Sequence, residues 1–184
     1  TLKLAQKIAH HLEGQYNVLL TRSSDTLVSA QQRAAFANRN RADLLISLHT
    51  HGAKANQGFI IFFEGPTDSP GGRESWHAQP LLRQAKSRKA ATELAKTCQE
   101  ELGLEFLAIP GPAHVLNGTL MPAVVMELIP FSTLRGPHER EKGMDQAAAA
   151  ISAGIGRYLR TLPPAGATKP VLKKILRQKT KNDI

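Results

Sequence analysis

The chain has 184 residues, a formal charge of +9, 41% apolar residues and 5% aromatics. That suits one domain with a substantial core and excludes a disordered polymer. No run approaches the apolar length that crosses a bilayer, and no charged-then-apolar signal segment opens the chain. From Thr161 onward six basic residues face one acid, so this tail carries +5 and residues 1–160 carry +4. Sparse aromatics, a modest charge on the folded part and the lack of a known nucleic-acid motif argue against nucleic-acid binding. The basic tail, read as a flexible segment over 163–184, is suited to contact with an anionic polymer or surface. Cys98 stands alone, which excludes an internal disulfide and a multi-cysteine zinc site.

Leu2, Leu4, Ala5, Ile8, Ala9 and Leu12 recur at helical spacing, with Gly14 as the stop. Tyr16–Thr21 reads as a short strand, followed by Asp25 as a helix N-cap. A second helix runs through Gln31–Asn38 and closes near Asn40. Asp43–Leu48 reads as a buried strand reaching His49, and Gly58–Phe63 as another. The Gly-, Pro-, Asp- and Ser-rich stretch from Gly65 to Arg73 predicts a loop. A long helix is expected over Gln79–Leu102, then an irregular stretch over Phe106–Asn117. Pro122–Leu128 is a further apolar strand, and Asp145–Leu162 a last helix. Helices alternating with short apolar strands predict an α/β domain over residues 1–162, a three-layer αβα sandwich around a mostly parallel twisted sheet. Ligands of such sheets gather beyond the carboxyl ends of the strands, where His49 and Glu127 both fall.

His49 at a strand end suits a zinc ligand, because a neutral imidazole is a common metal donor; the alternative is a packed or capping histidine. His51, two residues on, shares its face if the strand continues, although Thr50-His51-Gly52 also reads as a turn. Glu127 follows the apolar run Val124-Val125-Met126. A carboxylate there needs a cation, a donor or a proton, which suits either a general base beside a metal or a sheet-edge ion pair with an arginine. His114, beside Gly111 and Pro112, is a candidate for touching substrate. His10 and His11 read as surface. Ser47 lies inside a strand with no helix-start elbow, which argues against a serine nucleophile. No phosphate-binding glycine loop is present.

Several segments together resemble the zinc-dependent N-acetylmuramoyl-L-alanine amidases of the cell-wall amidase type. They are Leu19-Leu20-Thr21-Arg22, Asp25, Arg33 with Ala37-Asn38, Ala42-Asp43-Leu44-Leu45-Ile46-Ser47-Leu48-His49, and Met121–Leu128. The resemblance covers about residues 2 to 160 and leaves out the tail. It implies an exported, periplasmic or extracellular hydrolase. Such an enzyme uses one zinc ion to cleave the amide between N-acetylmuramoyl and L-alanine in peptidoglycan. On this reading His49 is a zinc ligand and Glu127 the catalytic glutamate, with His51 and His114 as substrate-binding candidates. The resemblance also implies that a first strand and two further ligands precede Thr1, so that these 184 residues alone are inactive. Two departures stand out: His51 replaces the family's usual asparagine, and Leu128-Ile129-Pro130-Phe131 replaces its leucine-glycine-phenylalanine. The alternative is a module of the same fold that grips peptidoglycan without cutting it.

Overall fold

The computed structural model describes residues 1–50, 57–62, 81–129, 131, 134 and 136–163. In chain order the elements are α1 (Leu2–Leu12), α2 (Ala30–Arg39), β1 (Leu45–Thr50), β2 (Gln57–Phe62), α3 (Leu81–Leu102), β3 (Glu105–Pro110), a 3-10 turn (His114–Leu116), β4 (Ala123–Leu128) and α4 (Gly136–Arg160). They form the expected α/β architecture. The strand order is β1-β4-β2-β3. β1 pairs parallel with β4 and β2 parallel with β3, while β2 and β4 run antiparallel. The sheet is therefore mostly parallel with one reversal at its centre.

The pleat sorts the strands into two faces. Ile46, Leu48, Ile60, Phe62, Phe106, Val124, Met126 and Leu128 point into the larger core. There they meet Leu4, Ile8 and Leu12 of α1, Leu94 and Cys98 of α3, and Ile151, Ile155 and Tyr158 of α4. Small residues let these helices approach: a Cβ on Gly154 would lie 3.2 Å from the Leu94 Cα. The opposite face carries a smaller core, in which Leu45, Ala123 and Val125 pack on Ala37 of α2 and on Val115 and Leu116 of the 3-10 turn. Three helices thus cover one face of the sheet. On the other, among the described residues, α2 and the 3-10 turn contribute to the core together with Met121 from the loop before β4.

α1 ends where expected, with Gly14 at φ +77°, a backbone conformation that glycine adopts without a Cβ penalty. α2 is capped by Ser29, not by Asp25. The Ser29 hydroxyl accepts from the Gln32 amide at 3.2 Å, and the Gln32 side chain accepts from the Ser29 amide at 2.8 Å. This reciprocal capping box outcompetes Asp25, which instead pairs with Arg22. Tyr16–Thr21 forms no strand. A ladder needs a partner, and the segment instead borders a cavity of about 350 Å³ that Val18 and Leu20 line together with Leu44, Ile46 and Leu48.

The stretch read as irregular holds β3 and the 3-10 turn. β3 has only Phe106 fully buried, so its alternation is faint, and Pro110-Gly111-Pro112 hides its end. α4 begins at Gly136 rather than Asp145. Pro137 suits a first helical turn, and the polar residues that follow are exposed, leaving no apolar stripe to read. The Gly65–Arg73 loop and the basic tail beyond 163 lie outside the described residues.

Gly58 is required by the sheet. A Cβ there would sit 2.3 Å from the Phe106 Cε1, and Phe106 is buried in the main core, so its ring cannot swing away. Gly58→Ala is expected to lower the unfolding free energy by about 1–3 kcal/mol in denaturant titration, with Phe106→Ala partly relieving the clash in the double variant.

Candidate active site

β1 and β4 both end at the same edge of the sheet, and their register sets the site. Leu45 faces Ala123, Ser47 faces Val125 and His49 faces Glu127. Register partners on a parallel pair point to the same face and sit ~4.8 Å apart. On the other side of β4, Glu127 faces Phe59, which in turn faces Leu107. One row across the four strands thus reads His49, Glu127, Phe59, Leu107. The row beneath reads Ser47, Val125, Ile61, Ile109. Both rows lie on the side opposite the main core.

His49 is exposed and Glu127 half-buried. This answers how a strand as apolar as Ala123–Leu128 carries an acid: Glu127 lies at the solvent end, where desolvation is partial. The ion pair with an arginine is not formed among the described residues, where Glu127 has no hydrogen-bond or salt-bridge partner. Its carboxylate is available to a ligand. His49 has one partner, Ser47, whose Oγ lies 3.0 Å from Nε2. Ser47 is 5% exposed, so this contact lies where the strand enters the core.

The structure brings His49 and Glu127 together as the strand-end reading expected. His51 lies outside the described residues. His114 sits on the same face of the sheet, exposed on the 3-10 turn, but that turn packs Val115 and Leu116 with Ala123 and Val125, toward the start of β4. No hydrogen bond or ion pair links His114 to His49 or Glu127 among the described residues. His10 and His11 are exposed, as read. Sequence reading missed the place of Ser47 as a partner of His49, although their spacing of two was the available signal. Phe59 and Leu107 could not have been found, because their neighbourhood with Glu127 is set by strand order.

A family profile described as N-acetylmuramoyl-L-alanine amidase matches residues 1–157. The chain belongs to this amidase family. It is 28% identical over 145 residues to the N-acetylmuramoyl-L-alanine amidase LytC of Bacillus subtilis (strain 168), a match covering 77% of this chain and 27% of LytC. It is 25% identical over 173 residues to the endolysin of Bacillus phage SPP1, covering 92% of this chain and 60% of the endolysin. The chain thus spans less than two thirds of the length of either relative. The structure resembles the N-acetylmuramoyl-L-alanine amidase from Clostridium difficile 630, with TM-score 0.66, 24% identity and coverage of 88% of this chain and 83% of that one. The catalytic domain of CwlV from Bacillus (Paenibacillus) polymyxa gives TM-score 0.65 at the same identity and coverage. At such identity these two likenesses establish the fold.

The adjacency of His49 and Glu127 can be tested by linkage. With both replaced by cysteine, a short bifunctional thiol reagent such as dibromobimane is expected to bridge them, and neither single variant should give the bridged, fluorescent product. Cys98 does not compete: it is buried, and burial pushes its thiol up to about 12, so thiolate is scarce at neutral pH.

Proposed function

We propose that the chain is the catalytic unit of a peptidoglycan amidase that hydrolyses the amide between N-acetylmuramoyl and L-alanine. The observation that carries this reading is the register pair of His49 and Glu127 at the carboxyl end of two parallel strands, within a chain of this family. An amide is a poor electrophile and water a poor nucleophile. A site that cleaves one needs a group that moves the water proton and a group that polarises the carbonyl. Glu127 is the proton carrier. Its carboxylate takes the proton of the attacking water as the new C–O bond forms. It then delivers that proton to the nitrogen as the C–N bond breaks, leaving a carboxylate on the muramoyl side and a free L-alanine amine.

His49 fits the zinc reading in kind: an imidazole at a strand end with one nitrogen held by Ser47 and the other available. Zinc, when bound, supplies the Lewis acidity that polarises the carbonyl and eases loss of the water proton. The donor set is incomplete among the described residues, where no three His, Cys, Asp or Glu side chains converge. A catalytic zinc site ordinarily takes three protein ligands, and His49 would be one of them. Where the enzyme acts follows from its substrate: the cell wall, in the periplasm or outside the cell. No helix among the described residues is long and apolar enough to cross a membrane.

The second reading is a module of the same fold that holds peptidoglycan without cutting it. Glu127→Gln separates the two. In the enzyme reading this variant keeps its fold and its binding to peptidoglycan, while release of new L-alanine amino termini by the full-length protein falls by at least ~100-fold. An unchanged rate would remove Glu127 from the chemistry, and a wild-type protein that binds but releases no amine would establish the module.

A further inference from the structure

We propose that Ser47 is a positioning residue that fixes the His49 ring, holding Nε2 toward the sheet and presenting Nδ1 to the site. The argument starts from what does not belong. Ser47 is buried at 5% exposure, in a row whose other members are Val125, Ile61 and Ile109. A β-branched apolar residue would suit that place better by both propensity and burial. A hydroxyl there costs stability unless it is hydrogen-bonded, and its partner is Nε2 of His49 at 3.0 Å.

The consequence follows from ring geometry. Residues two apart on a strand point to the same face, so an imidazole that reaches back to Ser47 folds along the strand with its distal nitrogen toward the core. The two ring nitrogens point in widely different directions, so Nδ1 is left facing away from Ser47, at the end of the sheet where Glu127 lies. A nitrogen that ligates a metal must be unprotonated, so the ring proton belongs on Nε2 and is donated to the Ser47 oxygen. The serine thereby selects both the tautomer and the orientation, as partners of metal-bound histidines do. It also removes a competing arrangement, in which the exposed imidazole turns through its rotamers and offers either nitrogen. The choice of Nδ1 as ligand and the placement of the Nε2 proton both rest on the zinc reading above; the contact of Nε2 with Ser47 does not.

Nitrogen-15 NMR of the histidine-labelled full chain tests this, with His49 assigned by the signals lost in His49→Ala. The neutral ring should carry its proton on Nε2, and added zinc ion should shift Nδ1. Ser47→Ala should weaken the zinc response of His49 by about 10-fold or let zinc reach Nε2 as well, and Ser47→Thr, which keeps the hydroxyl, should restore the wild-type pattern. A merely structural serine would change the melting temperature of the Ala variant and leave the coordinating nitrogen unaltered. A proton on Nδ1 in the wild type, zinc on Nε2 in the wild type, or a Ser47→Ala chain with an unchanged zinc response would overturn the proposal. Zinc that leaves the His49 signals unmoved in a chain whose Nε2 carries the proton would instead overturn the metal reading and leave the ring placement standing.

Discussion

The parallel pairing of β1 with β4 is the constraint on which the rest of the molecule depends. Strand register is fixed by which residues must be buried, and a slip of one residue turns every side chain to the other face. Here Ile46 and Leu48 of β1 and Val124 and Met126 of β4 all pack in the main core. That requirement leaves Ser47, His49, Val125 and Glu127 on the opposite face by alternation alone. The core therefore positions the polar pair. A slip of β1 would place an imidazole among α1, α3 and α4 and expose a leucine in its stead, at a cost of a few kcal/mol for each buried aliphatic side chain lost.

The same pleat explains the difference between the two sides of the sheet. The side toward α1, α3 and α4 is apolar up to the exposed Thr50 at the end of β1. On the other, α2 and the 3-10 turn cover Leu45, Ala123 and Val125 below the site. Above that line Ser47 marks the change, and the row of His49, Glu127, Phe59 and Leu107 is half-buried or exposed. The reversal between β4 and β2 brings the start of β2 and β3 to this end, so Phe59 and Leu107 join the row as an apolar neighbour of the carboxylate. The site thus combines a carboxylate, an imidazole and an apolar surface from four strands.

What could be read from the sequence divides along the same physical line. α1, α2, α3 and the strands that became β1, β2 and β4 announce themselves by local periodicity. So does the placement of His49 and Glu127 at strand ends. The Ser29–Gln32 capping box was also a local signal, overlooked in favour of Asp25. The failures are of two kinds. β3 and the first turns of α4 are largely exposed, so burial does not print a pattern on them. Tyr16–Thr21 has the alternation of a strand but lies along a cavity, and a strand cannot exist without a neighbour. The row through Phe59 and Leu107 was closed to sequence reading because it depends on strand order.

The claim at the centre is that His49 and Glu127 serve one metal-assisted hydrolytic site. Anomalous diffraction at the zinc edge, from crystals of this chain soaked in zinc, tests it most directly. The account predicts a single peak ~2.0–2.1 Å from a ring nitrogen of His49, on the face of the sheet that carries the Glu127 carboxylate. Zinc bound elsewhere with His49 unliganded, or strands offset so that residues 49 and 127 point to opposite faces, would contradict it.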